Sequence, residues 1–370
     1  MISGPAHRTR LSTLTVIAVL SLSMLIGLSH AASAEEAREP LAGVADARQA
    51  SSQTLVDLST TLAEKYPTVR ALVLARGDCT MFEYYRNLIS PDTPSPVYSV
   101  TKSVLSILVG MAIDDGYLRL DERLSEIAPE AFEDNVDPLA RDITLRDVLT
   151  KTEGFAETGA GDLRITPEGP ETWAWMLHRP VKYQPSTHFR YDHVGSDLLA
   201  IVLSKAIRQD AGKFAQQRLF GPLRIANYTW PADSDGYLHG EDGLALTARD
   251  MAKIGVLYLR HGRWADKQIV SDAFVRDSTT KHNDGGPPVK AAYGYHWWIN
   301  TTKTHLEAFF ASGKKSQLIY VVPKLDLVVA LAAESVSGGS QTFINDVVLP
   351  AEAILSETAP CVAHLGQASP

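Results

Sequence analysis

Ser99 and Lys102 stand three residues apart in "YSVTKSVLSILVG" (residues 98–110), giving the pattern S-x-x-K. On a helix such positions share one face, with Cβ atoms about 5–6 Å apart, so the amine can reach the hydroxyl. Only a neutral amine can accept the serine's proton. Lysine ordinarily titrates near 10.4, so a base working near neutrality needs a shift of roughly 3 units, about 4 kcal/mol. The apolar body of the segment, Val100, Val104, Leu105, Leu108 and Met111, disfavours a buried ammonium. The positive end of a helix dipole acts the same way. That helix end also offers the Ser99 backbone N–H to a developing oxyanion. The chemistry would be attack by an activated serine and formation of an acyl-enzyme. The competing reading is a serine that caps the helix and a lysine that snorkels to the surface.

The elements around this pair must hold it. "VRALVLARGDCTMFEYYR" (69–86) reads as two strands around a turn at Gly77-Asp78. Pro91, Pro94 and Pro96 stop the sheet and lead into the Ser99 helix. From there to about residue 262 the pattern is mostly helical. Thr144 is well placed to cap "ITLRDVLTKTEGF", and Gly262 to close "TARDMAKIGVLYLRHG". "HLEAFFASG", "SQLIYVVP" and "LDLVVALAAE" read as an antiparallel meander, and "FINDVVLPAEAILSE" as a last helix. Strands at both chain ends with helices between them predict an α+β fold, one sheet with an inserted, mostly helical subdomain.

Arg8 and Arg10, the apolar run 11–28 and Ala32-Ser33-Ala34 read as a secretory signal peptide over residues 1–34, so the expected location is periplasmic or secreted. The alternative is an uncleaved anchor; after cleavage no integral span is expected. Residues 35–53 read as a flexible lead, 54–358 as the catalytic domain and 359–370 as a tail. A formal charge of −8 argues against a nucleic-acid partner. Cys79 and Cys361 are the only cysteines, too few for a cysteine-rich metal site, and the sequence does not decide whether they pair. No H-E-x-x-H occurs, and neither a metal nor a cofactor is expected. The G-x-S-x-G elbow of α/β-hydrolases is also absent.

Two later segments join the S-x-x-K pair: "FRYDHVGSDLLAIVL" (189–203) and "FFASGKKSQLIYVVPKLDLVVAL" (309–331). With them the chain resembles the serine β-lactamase and penicillin-binding superfamily over roughly residues 60–357. Within it the chain is most similar to the branch holding class C β-lactamases, D-aminopeptidases, family VIII esterases and 6-aminohexanoate-oligomer hydrolases. "ITLRDVLTKTEGF", "DGLALTARDMAKIGVLYLRHGRW" and "YGYHWWIN" resemble further segments of that branch, in its order. The resemblance implies Ser99 as nucleophile, Lys102 as its proton acceptor and Tyr191 as the partner that protonates the leaving group. For that role the tyrosine needs a pKa well below about 10, which a nearby cationic lysine would favour. It places Ser312 and Gly313 against the substrate, where Trp298 is expected as well. The backbone N–H groups of Ser99 and Lys314 become the oxyanion hole.

The chain departs from the family pattern twice. His193 replaces the asparagine of Y-x-N and is expected to be an outlying polar residue rather than a catalytic one. Ala311 replaces the lysine or histidine that opens the third motif, which tells against β-lactam recognition. Trp173, Trp175, Trp297 and Trp298 could line an apolar substrate cleft or simply pack. The resulting expectation is an exported serine hydrolase acting on a small ester or amide. Its alternatives are a β-lactamase or D-Ala-D-Ala-type carboxypeptidase, and a penicillin-binding sensor that does not turn over.

Overall fold

The computed structural model describes residues 42–132, 137–156, 176–351, 361 and 363–365. The segment read as a signal peptide, Trp173, Trp175 and most of the stretch read as a tail lie outside the described residues. Nine strands form one antiparallel sheet: β1 Val69–Arg76, β2 Cys79–Tyr85, β3 Asn283–Gly286, β4 Ala291–Tyr293, β5 Trp298–Thr301, β6 Glu307–Gly313, β7 Gln317–Val322, β8 Leu327–Ala333 and β9 Ala363–His364. Their order is β9-β2-β1-β8-β7-β6-β5-β4-β3, so strands from the two chain ends meet where β1 pairs with β8. This is the β-lactamase/transpeptidase-like α+β arrangement expected. The hairpin β1–β2 and the meander β6–β7–β8 fall where the sequence predicts them. Strands β3–β5 are additions to that expectation, because "NDGGPPVKAAYGYHWWIN" mixes turn formers with short apolar pieces and carries a register shift.

Side chains alternate across the sheet, and both faces are covered. On β7, Ile319 and Val321 enter the core shared with the helical subdomain, whereas Leu318, Tyr320 and Val322 enter the opposite core. That second core is closed by Leu58 and Leu62 of α1 (Ala42–Lys65) and by Phe343, Ile344 and Val348 near the C-terminal end. Helix α1 begins at Ala42, well inside the stretch read as a flexible lead. Its alanines favour helix despite the polar composition.

At the centre lies α2 (Val100–Asp114), buried on every side from Val100 to Ala112. Its polar residues are satisfied inside the core: Ser103 Oγ donates to the His296 carbonyl at 2.6 Å and Ser106 Oγ to that of Tyr295 at 2.8 Å. The "YGYHWW" segment thereby clamps the helix. Three further helices frame the site: α3 (Leu145–Thr150), α4 (Val194–Ile207) and α5 (Ala248–Leu259). Thr144 and Asp147 form a capping box on α3, and Gly262, at φ +77°, closes α5 by donating to the Leu257 carbonyl at 2.8 Å. Cys79 and Cys361 are joined in a disulfide, with Cα atoms 5.4 Å apart.

Candidate active site

Tyr98, just before α2, adopts the left-handed region at φ +48°, a conformation that a non-glycine residue holds only under constraint. The constraint is visible next to it, where the Val97 N–H donates to the Leu244 carbonyl at 2.9 Å. The bend sets Ser99 at the head of α2, yet its hydroxyl does not cap the helix. It pairs instead with two functional side chains. Lys102 Nζ lies 3.4 Å from Ser99 Oγ, and the Tyr191 phenol faces the same serine, whose hydroxyl draws the phenol pKa down. The capping reading of S-x-x-K therefore fails, and so does the snorkelling one. Lys102 is 1% exposed, and burial pulls its pKa below the usual lysine value against the opposing charges of Glu241 and Asp197. Its amine also donates to the Glu241 carbonyl at 2.7 Å.

Tyr191 departs from expectation in its electrostatics. The amine of Lys102 lies 5.5 Å from the centre of its ring, but burial outweighs the Ser99 hydrogen bond and the charge of Lys151, so the phenol pKa is raised. Tyr191 therefore rests as a phenol, a donor, and the depressed lysine is the better base. Trp298 also differs from its expected role at the substrate. It is 2% exposed and stacks on Tyr191 with centroids 5.3 Å apart, so it seats the tyrosine instead of facing the cleft. Trp297 packs in the core against Tyr258.

The segment carrying Tyr191 is pinned by its neighbour Asp192. That carboxylate meets Arg179 at 3.2 Å, Arg190 at 3.0 Å and Lys151 at 3.5 Å, and accepts the Gly195 N–H at 3.0 Å. Burial alone would raise its pKa, but Lys151, Arg179 and Arg190 together hold it well below the ordinary carboxylate range. Beside it, burial and the Asp192 charge push the Glu153 pKa well above that range.

Gly313 ends β6 against the turn that carries Ser99. A Cβ there would lie 2.2 Å from the Val97 carbonyl oxygen and 3.3 Å from the Ser99 nitrogen. Only a glycine lets the strand end come this close. The segment Ser312-Gly313-Lys314 thus runs beside the Ser99 N–H, as an oxyanion pocket requires. Ala311 is fully buried, and the Lys315 ammonium stands 5.8 Å over the Tyr98 ring.

His193 is not an outlying residue. Its Nδ1 lies 3.3 Å from Lys102 Nζ and 2.5 Å from a carboxylate oxygen of Glu241. Glu241 is the residue that sequence reasoning missed, since nothing in "LHGEDGLAL" marks it as chemistry. Asp197, on the face of α4, holds its loop by accepting the N–H groups of Gly240 at 2.8 Å and Glu241 at 3.0 Å. Burial and the Glu241 charge push the Asp197 pKa up to about 6.

The family model described as Beta-lactamase matches residues 46–351. The chain is 24% identical over 291 residues to a 6-aminohexanoate-dimer hydrolase of Paenarthrobacter ureafaciens, covering 70% of this chain and 71% of that one. It is 31% identical over 174 residues to the lovastatin esterase of Penicillium rubens, covering 41% and 43%. Among solved structures, EstCE1, a hydrolase with promiscuous acyltransferase activity, superposes with a TM-score of 0.66 at 14% identity. That match covers 84% of this chain and all of the other, and at such identity it speaks for the fold.

Proposed function

The chain belongs to the Beta-lactamase family, and we propose that this serine hydrolase cleaves a small ester or linear amide through an acyl-enzyme on Ser99. The single observation that carries the reading is the convergence of the Lys102 amine and the Tyr191 phenol on the Ser99 hydroxyl. Lys102 takes the proton as Ser99 Oγ attacks the carbonyl. The backbone N–H groups of Ser99 and Lys314 receive the oxyanion. Tyr191 delivers a proton to the leaving group, and the Lys102 ammonium returns one to the resulting phenolate. The names of the two curated relatives support one ester and one linear amide as trial substrates.

We further propose that the enzyme acts outside the cytoplasm, on the strength of Arg8, Arg10, the apolar run 11–28 and the Ala32-Ser33-Ala34 site. Among the described residues no helix is long and apolar enough to cross a membrane.

The test is labelling with a fluorophosphonate probe, with the adduct mapped by peptide mass spectrometry, followed by a panel of p-nitrophenyl esters and anilides. A Ser99 adduct with sustained ester turnover supports the reading. An adduct on another serine overturns it, and one round of acylation without steady-state turnover would identify a sensor instead.

A further inference from the structure

The two groups that serve acylation are poorly placed to activate a water afterwards. Lys102 is 1% exposed, and its amine is surrounded by Ser99, His193 and the Glu241 carbonyl. Tyr191 is held as a phenol, which donates a proton more readily than it accepts one. His193 differs from both. Its side chain is 40% exposed, whereas the Glu241 side chain against it is 7% exposed. The 2.5 Å separation of Nδ1 and the Glu241 carboxylate requires a proton between them. In the neutral imidazole, donation from Nδ1 leaves the lone pair on Nε2, on the other edge of the ring, where it has no partner among the described residues. The histidine heads α4 without capping it, so helix formation does not explain its side chain.

We infer that His193, oriented by Glu241, is the general base that activates the water hydrolysing the acyl-enzyme. The inference rests on Ser99 being the acylated residue. Nε2 takes a proton from water as the water oxygen bonds to the acyl carbon. The imidazolium so formed faces the Glu241 carboxylate, which stabilises it. When the tetrahedral intermediate collapses, the bond from the acyl carbon to Ser99 Oγ breaks. The serine oxygen recovers the proton from His193, and the carboxylic acid leaves. His193 is thus a catalytic residue of the second half-reaction only, and Glu241 is a positioning residue.

The alternative is that His193 merely spaces Lys102, and the two half-reactions separate these ideas. With p-nitrophenyl butyrate, His193→Gln should retain single-turnover acylation within about threefold. Its steady-state rate should fall by about 100-fold, the lower end of what a general base contributes. The acyl adduct on Ser99 should then accumulate in the intact mass. Hydroxylamine, a nucleophile that needs no base, should restore release. Glu241→Gln keeps an acceptor for Nδ1 but removes the charge; it should slow the same step by about tenfold without slowing acylation, since that charge opposes the neutral form of Lys102. If acylation and deacylation slow by one common factor, or neither changes, the inference is wrong. His193→Ser gives the same readout should the glutamine variant fold poorly. Absence of any Ser99 adduct in the wild-type enzyme would instead remove the underlying hydrolase reading.

Discussion

Lys102 approaches the main-chain oxygen of Glu241 to 2.7 Å but the hydroxyl of Ser99 only to 3.4 Å. The carbonyl takes an N–H of the amine and thereby orients it. Once deprotonated, Lys102 can turn its lone pair toward Ser99, and burial favours that neutral form. Lys102→Met should keep the apolar stem packed and lose nearly all activity, because a residue acting as a unit with the nucleophile costs almost as much to remove. The expected kcat is below a hundredth of wild type, in line with the 10²–10⁴-fold typical of general-base catalysis. A variant retaining more than about a tenth would place proton transfer elsewhere.

Ser99→Ala should abolish covalent labelling while leaving the melting temperature near that of wild type. Its hydroxyl makes no helix cap, so removing it leaves the first turn of α2 intact. Persisting fluorophosphonate labelling on a different serine would contradict the mechanism.

The Ser99–Lys102 contact is legible in the sequence because helical spacing is local: three residues at the head of α2 bring the two side chains together whatever the rest of the chain does. The meander is legible for a similar reason, its strands being long, apolar and adjacent in sequence. His193 and Glu241 are not, since they meet across 48 residues through loops held by Asp197, and no periodicity reports such a contact. Trp298 takes a different role from the expected one because a tryptophan beside a site can pack under a catalytic ring as readily as line a cleft. The Tyr191 pKa moves opposite to expectation because desolvation, invisible in sequence, exceeds the attraction of the nearby cation.

Gly313→Ala tests the strand end beside the nucleophile. The backbone there is extended, at φ −126°, which alanine adopts freely, so the effect comes from space alone. The new methyl would sit 2.2 Å from the Val97 carbonyl oxygen, and backbone must move. That movement displaces the oxyanion donors, and kcat should fall by about 100-fold, the loss expected from removing one such donor. A variant with a third or more of wild-type kcat would show that the pocket lies elsewhere.

Glu153 gives a pH signature. Its carboxyl pKa is raised in the fold by burial first and by the Asp192 charge second. Above the ordinary glutamate pKa the unfolded chain has released this proton while the folded one keeps it. The folded state then binds more protons, so this group's contribution falls as pH rises from about 4.5 toward its folded pKa. Glu153→Gln removes the penalty and retains an amide to face Asp192. The variant should melt higher than wild type at pH 8, with the gap narrowing at pH 5. A lower melting temperature at pH 8 would show that Glu153 is ionised and paired in the fold.

Substrate class turns on the residue that opens the third motif. In β-lactamases and penicillin-binding enzymes a cation at that position helps to hold the carboxylate of the substrate. A charge-assisted hydrogen bond of that kind contributes roughly 1.5–3 kcal/mol, or about 10 to 150-fold in binding. Here the position is Ala311, fully buried on β6. Ser312 offers only a neutral hydroxyl, and Lys315 is occupied over the Tyr98 ring. A neutral ester has no carboxylate to anchor and loses nothing by this arrangement. Short-chain p-nitrophenyl esters should therefore be turned over with a kcat/KM at least about tenfold above that of a chromogenic cephalosporin, the lower end of that binding range. Both should be measured on the purified enzyme, with Ser99→Ala as the blank for each. If the cephalosporin matches or exceeds the ester, its carboxylate is being held without the missing cation, and the β-lactamase reading replaces the esterase one.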